Sequence, residues 1–118
     1  MSRAKAQEIS VIVKLYDFLL WGLPRIAKFP RDHRFVLGER MERTLYDLLD
    51  LLLEAKYSSD KRQLLARSNV LVERLRFQFR LAKDLKILAV GSYEFAARFL
   101  DAVGSEVGGW KKSLEGRP

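Results

Sequence analysis

Leu37, Met41, Leu45, Leu48, Leu52 and Ala55 follow one another at intervals of 4, 4, 3, 4 and 3 residues. Intervals that alternate between three and four are the period of an α-helix, and they set all six side chains on one stripe. The opposite face is rich in Glu, Arg and Asp, as a solvated face should be. The stretch from about residue 33 to 57 therefore predicts a helix with one face to bury, and the rest of the chain has to cover it.

Breakers divide the sequence into four such segments. The first covers about residues 6–27, where Ile12, Tyr16, Leu19, Leu20 and Leu23 recur at helical spacing. Pro24 removes a donor and should kink or end this helix. A connector, Lys28-Phe29-Pro30-Arg31-Asp32-His33, follows, with Asp32 as its N-cap. Gly38 is a weak point near the start of the second helix. Ser58-Ser59-Asp60 closes that helix; either serine suits the cap of the third, and Asp60 suits its positive end. The third helix covers about residues 59–90, with Leu64, Leu71, Leu75, Ala82 and Ala89 toward the core. Gly91-Ser92 ends it, and Ser92 caps a fourth helix over about 92–113 that carries Phe95, Phe99, Ala102, Val103 and Trp110. The tail from Leu114 frays. No strand pattern, internal repeat or low-complexity tract competes with this reading. Four helices on short connectors predict an all-α, antiparallel up-down-up-down four-helix bundle, with residues 1–118 as a single domain.

The size fits one core that folds without a disulfide or metal. The chain has no cysteine and one histidine, His33. Thiolate catalysis is excluded, a zinc site is disfavoured, and a reducing compartment is consistent with the composition. No apolar run approaches the ~20 residues of a membrane span. The apolar stretch after the basic start holds Lys14 and Asp17 and no small-residue cleavage site, so the reading is a cytoplasmic protein without a membrane partner. Glycine-rich phosphate loops and nucleophile elbows are absent. Asp47 with Asp50, and Glu39 with Glu42, lie on faces balanced by arginines and read as surface charge. The expectation is no enzyme and no cofactor.

Charge is where the sequence speaks about partners. Between residues 61 and 86, Lys61, Arg62, Arg67, Arg74, Arg76, Arg80, Lys83 and Lys86 stand against only Glu73 and Asp84, which is six of the seven net positive charges of the chain. On a helical wheel Arg76, Arg80 and Lys83 stack as one column on the face of Arg62, Asn69 and Glu73. A rigid cationic row attracts polyanions, and each member can neutralise a phosphate. A second cluster, Arg25, Lys28, Arg31, His33 and Arg34, sits in the first connector. No base-reading element accompanies them, so binding would follow charge and shape. The alternative is a basic face kept for solubility.

The third helix has a second apolar stripe, Val70, Phe77, Leu81 and Leu88, about 100–120° from the first. It either widens the core face or forms a subunit interface. Gly104 and Gly108 would let helices approach closely at the same junction, or else mark a frayed helix.

Leu75-Arg76-Phe77-Gln78-Phe79-Arg80-Leu81-Ala82, then Ala102-Val103-Gly104, then Gly108-Gly109-Trp110, in that order, resemble the Avd family, the accessory variability determinants of diversity-generating retroelements. Phe29-Pro30-Arg31-Asp32-His33-Arg34-Phe35 with Leu37-Gly38-Glu39-Arg40 is similar to the family's first interhelical signature. The resemblance implies a homopentameric, barrel-like ring of four-helix bundles with a basic surface. It also implies association with an error-prone reverse transcriptase, which copies a template RNA with misincorporation at adenines so that the cDNA diversifies a target gene. By this likeness Arg76 and Arg80 are the first expected contacts to nucleic acid or polymerase, followed by Lys83, Arg67, Arg74, Arg62, Arg31 and Arg34. Val70, Phe77, Leu81, Leu88, Gly104 and Gly108 are the expected oligomer interface. Four-helix proteins encoded in ribosomal RNA intervening sequences share the fold. This chain has Glu54-Ala55-Lys56-Tyr57-Ser58-Ser59 where they carry a glycine-rich acidic segment. A protein-only scaffold for an acidic partner is the other alternative.

Overall fold

A computed structural model describes residues 3–115. The chain runs through α1 (Arg3–Ala27), a one-turn α2 (Arg31–His33), a π-helical turn (Arg34–Gly38), α3 (Glu39–Tyr57), α4 (Lys61–Asp84) and α5 (Val90–Ser113). The four long helices form an all-α body of 51 × 23 × 19 Å, with no strand among the described residues. Contacts along neighbouring helices fall in reversed order. From α4 to α5, Arg62 lies against Leu114, Arg76 against Asp101 and Lys83 against Tyr93. From α1 to α5, Ser10 meets Glu106, Phe18 meets Phe99 and Trp21 meets Phe95. α3 and α5 each pack against both α1 and α4, which leaves α1 and α4 diagonal to each other.

The six-residue stripe, Leu37 in the π-turn and Met41 to Ala55 in α3, is buried throughout. In α1 the buried face is Val11, Leu15, Phe18, Leu19 and Ile26, whereas Tyr16 and Leu20, which recur at helical spacing in the sequence, stand in solvent. The cause is that α1 is apolar on several sides, so periodicity alone does not choose between them. Phe18 settles the choice: its ring stacks on Phe99 at 4.8 Å and meets Phe79 of α4 at 5.6 Å. Truncating a fully buried aromatic of this kind costs about 3–5 kcal/mol.

Pro24 does not end α1, which continues to Ala27. The carbonyl it orphans belongs to Leu20, on the exposed side, where water can serve it. Asp32 makes no cap; it lies inside α2, whose N-cap is Pro30. Gly38 is a point of close approach: a Cβ there would sit 3.3 Å from Ile26 Cγ2 and 3.5 Å from Phe29 Cδ2. The missing side chain lets the π-turn press onto the end of α1.

α4 stops at Asp84, earlier than expected, and its stop signal is Lys86, at φ 62°. The Ile87 amide donates to the Ala82 carbonyl (3.0 Å) and the Lys86 amide to that of Lys83 (2.9 Å). This is a Schellman closure with lysine in the place that glycine favours. Gly91 and Ser92, read as the stop and the cap, lie inside α5, which starts at Val90 with Ala89 as N-cap. Ala89 is exposed, not core.

Candidate functional site

The basic residues fall into groups that the linear sequence does not separate. Arg76, Arg80 and Lys83 do share a face of α4, but each has an acidic neighbour. Arg76 Nε lies 2.9 Å from Glu73 Oε1, and its Nη1 contacts Asp101 Oδ1 on α5. Lys83 Nζ is 3.3 Å from Asp84 Oδ1 and 4.6 Å above the Tyr93 ring. Arg80 is more open, with Asp84 Oδ2 at 3.8 Å from its Nε. The expected open row is thus partly neutralised, and Arg76 within it is half-buried. A carboxylate on another helix, Asp101, is what the wheel did not show.

Lys61 also has a structural place. Its ammonium donates to the Ala55 and Lys56 carbonyls, both at 2.8 Å, and so closes the C-terminal end of α3.

The first connector keeps its cations open. Arg25 stacks over Trp21 at 4.3 Å and donates to the Trp21 carbonyl at 2.7 Å. Arg34 rests over Phe35 at 5.1 Å. Lys28, Arg31, Arg34 and Lys86 are exposed, and none forms an ion pair. Trp21 packs on Phe95 at 4.5 Å, two residues from the Tyr93 that carries Lys83. The connector cations therefore share one end of the body with Lys83 and Lys86, so the second sequence cluster meets the C-terminal part of the first in space. His33, between them, is half-buried.

The other candidates lie elsewhere. Arg62 is at the opposite end, with its Nη2 3.3 Å from the Leu114 carbonyl. Arg67 and Arg74 line an open cleft of about 510 Å³ between α3 and α4, facing Asp47 and Asp50 across it. Asp47 and Asp50, read as arginine-balanced surface charge, thus line that cleft opposite its arginines.

Val70, Phe77 and Leu81 project outward, 59%, 64% and 47% exposed, so this stripe does not widen the core. Leu88 is a correction: it is buried with the core and offers no surface. Gly104 is a second correction. A Cβ on it would sit 3.2 Å from Arg76 Nη2 and 3.6 Å from Val72 Cγ1, so its missing side chain serves the α4–α5 contact inside one copy. At Gly108 the corresponding space is open.

Among the described residues no group of His, Asp and Glu is placed to hold a metal ion, and no helix is long and apolar enough to cross a membrane. A model of a family described as bAvd-like matches residues 10–114. Neither the curated proteins nor the solved structures contain a match.

Proposed function

Since the chain belongs to the bAvd-like family, whose model spans residues 10–114, we propose that it is a non-catalytic accessory protein of a diversity-generating retroelement. It acts in the cytoplasm as an antiparallel up-down-up-down bundle assembled into a homopentameric ring. It holds the element's error-prone reverse transcriptase and template RNA together during mutagenic cDNA synthesis. The ring is joined through the outward stripe of Val70, Phe77 and Leu81. Phosphate is gripped chiefly by the open cations at the connector end, Lys28, Arg31, Arg34 and Lys86, with Arg80 beside them.

Family membership supports the biological role, and the observation that supports the contact surface is the collection of unpaired cations at one end. Lys and Arg side chains free of carboxylates release counterions when they meet a polyphosphate backbone, which gives affinity without sequence preference. Arg76 and Lys83 carry less of this, because a cation already paired gains less from a phosphate.

The test is co-purification of the full chain with the reverse transcriptase of its own element, and binding of the template RNA at several salt concentrations. The expected result is a stable complex and an RNA affinity that falls steeply between low and physiological salt. No polymerase capture together with salt-independent or absent RNA binding would overturn the reading.

A further inference from the structure

Two exposed seams lie on diagonal helices and share one spacing. On α1 the seam is Val13, Asp17, Leu20 and Pro24; on α4 it is Val70, Arg74, Phe77 and Leu81. All eight residues are exposed, and both run +4, +3, +4. Apolar matches apolar in three layers, and the fourth sets an acid against a base. Asp17 and Arg74 make no ion pair within the chain.

The spacing is that of alternating core positions along a two-helix seam, where like positions of parallel helices meet in layers. α1 and α4 both meet α5 in reversed order, so they point the same way. A rotation about an axis along the bundle preserves that direction between copies. Such a rotation brings α1 of one copy beside α4 of the next with the helices parallel, as the layers require. A two-fold axis across the bundle would oppose them.

The open cleft between α3 and α4 runs along this seam, and Val70 and Arg74 line it. We infer that the cleft and the α4 seam receive α1 of a second copy of this chain, with Val13 on Val70, Asp17 on Arg74, Leu20 on Phe77 and Pro24 on Leu81. This rests on the reading of the chain as a homo-oligomer and names the surfaces that join it. Two different patches per copy, on helices that face away from each other, make a heterologous contact, the kind that propagates around a ring. The Asp17–Arg74 layer fixes the register, because a slip by one turn sets a charge against an apolar side chain. Arg74 thereby leaves the phosphate-binding set.

The experiment is the mass of the full chain in solution by light scattering or sedimentation, for wild type, D17R, R74D and the D17R/R74D swap, with circular dichroism to confirm folding. Both positions are exposed, so the single variants are expected to stay folded. Each single reversal is expected to raise the dissociation constant of the oligomer at least about tenfold. The swap is expected to restore most of it. An oligomeric wild type indifferent to both reversals, or folded single variants that the swap does not rescue, overturns the pairing and leaves the oligomer reading standing. A wild type that is monomeric at high protein concentration overturns both.

Discussion

Arg76 of α4 holds Asp101 of α5 through a direct guanidinium–carboxylate contact, while its Nε lies 2.9 Å from Glu73 Oε1, one turn back on its own helix. The arginine that leads the cationic row in sequence is therefore a strut between two helices. Its side chain is half-buried against α5, where Nη2 reaches Gly104, so truncation removes packing as well as charge.

Arg76→Ala is expected to cost about 1 kcal/mol and lower the melting temperature by a few degrees. Arg80→Ala, whose side chain is exposed and whose carboxylate lies at 3.8 Å, is expected to leave the melt near wild type. Thermal denaturation of the two variants side by side checks this. Equal melts would mean that the Asp101 contact contributes nothing.

Gly104 and Arg76 should be coupled. Gly104→Ala gains up to about 1 kcal/mol of helix propensity, but the new methyl meets Arg76 Nη2 at 3.2 Å and pushes the guanidinium off Asp101. In the wild-type background the two effects offset, and the net change is expected near zero. In the Arg76→Ala background the obstacle is gone, and the same substitution should stabilise by the full propensity gain. A double-mutant cycle in urea measures the difference. Additive energies would show that the two residues do not interfere.

Lys86 bears a left-handed backbone at φ 62° with a Cβ attached. Lys86→Gly keeps both closing hydrogen bonds of the α4 terminus and removes the steric cost, so stability should rise by about 0.5–1 kcal/mol. Lys86→Val, whose branched side chain tolerates this region worst, should lower it. A chemical denaturation series over Gly, Lys and Val that fails to follow this order would contradict the closure.

How far these features could be read from sequence depends on whether their cause is local. The α3 stripe could be read in full, because between Leu37 and Ala55 the opposite face is mostly charged and only Tyr46 and Leu53 stand out on it as exposed large apolar side chains. α1 could not, because Val13, Tyr16 and Leu20 are as apolar as the Val11, Leu15 and Phe18 that face inward, and only the partner rings choose between them. The ends of α4 and α5 misled because Gly91-Ser92 is a good stop signal, while the actual stop is a lysine made left-handed by the turn that follows. The charge segregation of α4 was visible, and so were Glu73 and Asp84 within helical reach of Arg76, Arg80 and Lys83; the contact of Arg76 with Asp101 was not, since the two lie 25 residues apart. The π-turn at Arg34–Gly38 leaves no mark in the apolar spacing.

Arg31 and Arg34 give the sharpest test of which cations meet phosphate. Both are exposed at the connector end, and neither forms an ion pair. If each neutralises one phosphate, replacing either with glutamine should reduce the slope of log affinity against log salt by about 0.7–0.9, and replacing both by about twice that. Arg62→Gln, at the far end of the body, should leave the slope unchanged, as should Lys61→Gln, whose ammonium is engaged with the end of α3. Fluorescence anisotropy with a labelled template RNA at four or five salt concentrations separates these cases. A slope that responds to Arg62 and ignores Arg31 and Arg34 would move the contact to the opposite end, and a uniform small loss across all four would mean that the RNA responds to net charge and has no seat.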